Sequence, residues 1–406
     1  MSKLAISNGL LILPGENAPR PDALYVDGDS IVGAGGDQAA AKTIDAEGLI
    51  VAPGIIDLGV FTTDKPAFRF GGITRAALMP DQSPVHDDPA TVRFAALKGK
   101  PDLWVHPLAA ATKNLEGARI AEIALMKEAG ARAVSTGRKW IGDSGLMLRL
   151  MRYCASLDMP LLVHCEDNGL ASGAVATSGE TATLLGLSDA PAISEALAVS
   201  RDLMLAEESG AQIHFRQVTT AKALDLIRDA KLSGLSVTCG ITPAHLFLSD
   251  DALAEYRTFN RFSPPLRSQS DREACIAAIA DGTIDVISSG HNPQGPEAKR
   301  LPFSEASAGM AGAETLLAMT LNLVRDGTIN IGRMFDLLAA NPARILNIDA
   351  GELSEGNQAD IIFIDPDAPW QVDSAKMAAL AGNTPFDKLP VQGRVVKMMK
   401  GGKIID

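Results

Sequence analysis

The feature that most restricts this chain is a long alternation of short apolar runs with amphipathic helical stretches over residues 51–345. Candidate strands include "GIIDLGV", "RAALMP", "LWVHPLAA", "ARAVST", "PLLVHC", "QIHFRQV", "SVTCGIT" and "IDVISSG". Between several of them lie stretches such as "GARIAEIALMKEAG" and "ISEALAVSRDLMLAEESG", with apolar residues at spacings of three and four. Gly210 and Gly234 stand where such helices should end. About eight β/α units of this kind predict an α/β fold, a (β/α)8 TIM barrel, with its chemistry at the carboxyl ends of the strands.

The two ends of the chain are written differently. Residues 1–50 and 346–406 are rich in alternating strands and Gly turns, as in "ALYVDGDSIVGAGG" and "GRVVKMMKGGKIID". They predict one small β-sandwich built from both termini around the barrel. A 406-residue chain with 46% hydrophobic and 21% charged residues can bury a core of that size. Net charge is −12 without a Lys/Arg block, which argues against a nucleic-acid surface. No stretch reaches the roughly 20 apolar residues that cross a bilayer, and the N-terminal apolar run is too interrupted for an export signal. Four scattered cysteines without a Cys-x-x-Cys pair fit reduced thiols. The expectation is a cytoplasmic protein.

The segments "APGIIDLGV", "LMPDQSP", "LLVHCED", "VTCGITPAHLFLSDDAL", "FSPPLRSQSDREACIAAIADGTIDVISSGHNPQ", "GMAGAET" and "NPARILNI" occur in this order. In this ordered set the chain resembles the dihydroorotases of the amidohydrolase superfamily over nearly its whole length. The resemblance implies reversible ring closure of carbamoyl-aspartate to dihydroorotate. It also implies a zinc-type metal that lowers the pKa of a bound water to about 7 and a carboxylate that carries the proton.

Carried over position by position, most of that machinery is missing. The first-strand His pair falls on Gly59 and Phe61. The bridging acidic or carboxylated position falls on Thr136 or Gly137, with Lys139 nearby. The next ligand is kept as His164, the following His is Gln217, and the final Asp, the family's catalytic group, is Gly290. Substrate-gripping positions correspond to Thr63, Asp81 and Gln294, and Asp81 should repel an anionic substrate. No cofactor is therefore expected, and one imidazole cannot make a site of about four ligands. His164 reads as a packed, hydrogen-bonded remnant. His245 and His291 read as loop-orienting, and His86 and His106 as structural. Cys165, adjacent to His164 on a strand, cannot share its pocket, and His214 and Gln217 face a similar problem. The scaffold, including Pro264, Pro265, Arg267 and Asp285, is retained.

Three readings follow. The resemblance extends to dihydroorotase homologues without the metal residues, and implies a non-catalytic structural partner of the aspartate transcarbamoylase catalytic chain in a hetero-oligomer; homo-oligomers stay open. The second reading is an active cyclic-amide hydrolase with a rebuilt site drawing on Asp57, Asp81 or Glu166. The third is a ligand-binding regulatory protein using the emptied pocket.

Overall fold

Every residue of Ile55–Val60 is buried, as a parallel strand covered on both faces requires. In the computed structural model, which describes residues 3–36 and 40–405, this is the first strand of the barrel. It pairs in parallel with Ile73–Leu78, and that strand with Trp104–Pro107. A short continuation of the third strand, Ala109–Ala110, pairs with Val134–Ser135. Leu161–Val163, Ile213–Phe215, Val237–Ile241 and Val286–Ile287 follow, each parallel to its predecessor. The ring closes where the Phe61 amide donates to the His291 carbonyl at 2.9 Å. The Ser289 amide adds a bond to the Asp57 carboxylate at 3.1 Å. Eight parallel strands with intervening helices make a (β/α)8 barrel.

Alternation along the strands separates two layers. Ile56 and Leu58 point inward with Ala77, Leu162 and Val286. Ile55, Val60, Ile73 and Ile213 belong to the larger cluster with the apolar faces of the surrounding helices. Three of those helices begin at side-chain caps: Asp143, Thr220 and Ser268 accept from the amides of Leu146, Ala223 and Asp271. Ile193–Ser209 ends at Gly210, and Gly234 comes one residue after Ser233, the cap of Ala221–Leu232.

The termini meet in one eight-stranded sheet. Ile50–Pro53 lies between Leu4–Leu11, to which it is parallel, and Ile361–Gln371, to which it is antiparallel. This sheet has its own core, in which Ile6, Leu24, Val51, Phe363 and Met399 are buried. The strand Ile50–Pro53 runs across the point where the sequence pattern divides the chain. The first residues after position 50 thus still belong to the terminal sheet.

Candidate functional site

At the mouth of the barrel the strand ends enclose a cavity lined by Phe61, Gln217 and Gly290 among others. These three are the family ligand positions that the fold brings together on its surface, and His245 lines it as well. Gly59, Thr136, Gly137 and His164 are not on the lining.

Each family ligand position is structurally committed. A Cβ at Gly59 would sit 2.7 Å from Ser288 Oγ, so Ser288 occupies the space an imidazole would need. The Phe61 ring holds the second position, with the Arg138 guanidinium 3.8 Å and the Arg216 guanidinium 5.1 Å from its centroid. Thr136 Oγ1 accepts the His164 amide at 3.0 Å. Gly137, at φ +66°, leaves room for the Asp81 carboxylate, whose nearest oxygen would lie 2.6 Å from a Cβ there. Gln217 Oε1 accepts from Arg216 Nη1 at 2.9 Å. Gly290 has φ +61°, and a Cβ there would meet Met310 Cε and Thr242 Cγ2, both at 3.1 Å.

His164 has both ring nitrogens in use. Arg216 can only donate, so Nδ1 is the acceptor of its 3.5 Å contact. Nε2 therefore carries the proton and faces Glu166 Oε2 at 3.4 Å. A zinc ion needs about four ligands with free lone pairs. Among the described residues no group of three or more His, Cys, Asp or Glu side chains is gathered for one. The donor set at this barrel mouth does not fit the family's metal.

Behind His164 lies a buried ionic chain. Glu166 accepts from Arg267 Nη2 at 3.0 Å, and the same nitrogen reaches Glu195 Oε2 at 3.3 Å. Glu195 also accepts four bonds from the amides and hydroxyls of Thr219 and Thr220. Burial works to raise the Glu166 carboxyl, but the His164 hydrogen bond and the Arg267 charge outweigh it and pull it down to about 2. Asp57 caps the turn of its own strand, accepting from the Gly59 amide at 3.0 Å, and burial pushes its carboxyl up.

The three substrate-gripping positions are not assembled. Thr63, Asp81 and Gln294 are all off the cavity lining. The Thr63 hydroxyl is buried without a hydrogen-bond partner, and Gln294 Nε2 donates to Asn292 Oδ1 at 2.9 Å. The Asp81 carboxylate is turned toward Gly137 and the Arg138 amide, which donates to it at 3.1 Å. One Asp81 oxygen is thus engaged by the framework and the other is buried without a hydrogen-bond partner, so its charge faces the two arginines of the mouth. The lining is instead charged by Arg138 and Arg216, which the sequence reading passed over. Their signal was available: each is adjacent to a lost ligand position, Gly137 or Gln217.

The amidohydrolase family profile matches residues 83–405. The dihydroorotase of Pelotomaculum thermopropionicum is 38% identical over 99% of this chain and 98% of its own. That of Syntrophus aciditrophicus is 34% identical over 99% of both chains. The chain belongs to the amidohydrolase family. Within it, the chain is dihydroorotase-like. The L-hydantoinase of Arthrobacter aurescens superposes with TM-score 0.87 at 24% identity, covering 100% of this chain and 96% of that one. The dihydropyrimidinase of Brevibacillus agri gives 0.83 at 20% identity over 99% and 95%. Both show the same barrel fold.

The remaining histidines of this amidohydrolase barrel are tied into its framework. His245 Nδ1 lies 2.8 Å from the Thr242 hydroxyl and its Nε2 3.0 Å from the Pro264 carbonyl. His291 is 3.3 Å from Asp64, with Nδ1 accepting from the Ala313 amide at 3.3 Å. His106 packs against Arg75 at 3.3 Å, and His214 bonds Thr238 at 2.9 Å. His86 is buried, and burial pulls its imidazole down to about 4. All four cysteines are buried and unbridged. Burial raises the Cys165 thiol, which donates to the Gln217 carbonyl, so it is no ready nucleophile. Among the described residues no helix is long and apolar enough to cross a membrane.

Proposed function

We propose that this dihydroorotase-like chain is catalytically silent and serves as a structural partner of aspartate transcarbamoylase, the assignment that its resemblance to metal-free homologues implies. The observation that carries the silent half is steric as well as chemical. Of the family ligand positions only His164 keeps its ligand side chain, and the space at two others is taken by Ser288 at Gly59 and by Thr242 and Met310 at Gly290. Hydrolysis of a cyclic amide without a metal must activate water of pKa about 15.7 by other means. The acids nearest the site each already accept a hydrogen bond from the framework, Asp57 from the Gly59 amide, Asp81 from the Arg138 amide and Glu166 from Arg267. The partner half is favoured by a barrel that keeps its packed core while the family's donor set is gone.

Two measurements test it. Purified chain of known metal content should give no dihydroorotate turnover above background, with or without added zinc; sustained turnover defeats the silent reading. The same organism's aspartate transcarbamoylase should co-elute with this chain in a larger complex and lose activity without it. Separate elution with unchanged activity defeats the partnership.

A further inference from the structure

The barrel-mouth cavity has a charge character opposite to that of the whole molecule. The chain carries a net charge of −12, yet the charged residues on this lining are Arg138 and Arg216, and no Asp or Glu lines it. Arg216 is only 3% exposed. Its Nη atoms meet an amide oxygen and an imidazole nitrogen instead of a carboxylate. Its Nε is buried without a hydrogen-bond partner. A buried guanidinium in that condition leaves donor capacity unspent, and an unsatisfied donor at a charged group is costly. Arg138 stacks on the same Phe61 ring, so two like charges share one aromatic ring. Burial pulls Arg216 down to about 10, Asp81 works to raise it and Arg138 lowers it further. It nonetheless stays charged at neutral pH.

We propose that this cavity binds a small oxyanion, the carboxylate or phosphate group of a soluble compound, between Arg216 and Arg138. The space suits such a group. It offers about 50 Å³ to water-sized molecules, several times the roughly 10–15 Å³ that one water needs. Phe61, Phe262 and Met310 give it apolar walls, which strengthen an ion pair by excluding solvent. Asn292 and Ser263 add neutral polar groups on the same lining. The carboxylates facing the site from neighbouring elements leave the guanidiniums in excess. Asp81, which accepts from the Arg138 amide, acts on both arginines, and Glu166, which also faces Arg216, is ion-paired with Arg267. Fork-shaped guanidinium donors match planar carboxylate and tetrahedral phosphate alike. The proposal goes beyond the scaffold reading and does not depend on it, because binding is measured on the chain alone.

The test is thermal unfolding of the full chain against rising sodium phosphate and, separately, sodium acetate, with ionic strength fixed by sodium chloride. Saturable stabilisation beyond the chloride control is expected. A response to phosphate alone assigns a phosphate group, to acetate alone a carboxylate, and to both a shared oxyanion site. Arg138→Gln lies on an exposed side chain and should fold normally while weakening binding about tenfold or more. Arg216→Gln should abolish binding if circular dichroism shows it folded; if it does not fold, Arg138→Gln decides alone. No stabilisation by either anion, or equal affinity in Arg138→Gln, overturns the proposal.

Discussion

Arg267 supports two buried carboxylates at once, 3.0 Å from Glu166 and 3.3 Å from Glu195, while its Nε and Nη1 donate to Thr219 and Thr177. Its own exposure is 3%. Replacing one member of such a group costs more than the group contributes as a whole, because the partners left behind are charges without compensation. Arg267→Met should therefore destabilise the chain by about 3–5 kcal/mol, read as a lower urea midpoint. An unchanged midpoint would mean that the network is wet and weakly coupled. Glu195 should make the larger share of the loss. It is fully buried, although its four threonine bonds remain in the variant. This network was only half legible in the sequence. Arg267 and Glu166 stood in recognisable motifs, but Glu195 lies inside an ordinary helical stretch, and nothing in a 3.6-residue period marks a carboxylate aimed inward.

The strands and helices themselves were readable because each obeys a local rule: apolar runs of strand length, apolar residues at spacings of three and four, a helix end at Gly210. The cavity was not, because it belongs to no single element. Arg138 follows the fourth strand and Arg216 follows the sixth, and both lie just past the regular pairing, where strand alternation no longer says which way a side chain points. The same strand ends explain why reversing the lost ligands one by one should fail. A triple variant, Gly59→His, Phe61→His and Gly290→Asp, should bind zinc substoichiometrically after dialysis and unfold earlier than the parent chain. Side chains at positions 59 and 290 must displace Ser288, Thr242 and Met310, and position 290 must also keep φ +61°. Overpacking of this kind costs about 1–3 kcal/mol per site. One full equivalent of zinc by atomic emission, with unaltered thermal stability, would show that the pocket relaxes freely.

Across the whole molecule, neutral buried imidazoles set the response to acid. Burial pulls His86 and His245 down to about 4 and His214 to about 3, from an ordinary 6.5. The unfolded chain takes up these protons near pH 6.5 while the folded chain does not. Stability is therefore complete above that value and falls as acidity increases, by about 1.4 kcal/mol per pH unit for each histidine until its folded value is reached. Glu166 adds a second loss in the same direction, between its ordinary 4.5 and about 2. Melting temperature should decline steadily from about pH 7 to about pH 5; a flat profile would mean that these rings are reached by water and titrate normally. The terminal sheet has a consequence of a different kind, in time instead of energy. Ile50–Pro53 takes one neighbour from the first strand of the chain and the other from Ile361–Gln371, roughly 300 residues later. At about 5–20 residues per second of synthesis, that edge waits on the order of 15–60 s for its partner. The strand Ile50–Pro53 therefore leaves the ribosome with one open edge, which must be shielded until Ile361–Gln371 has been made.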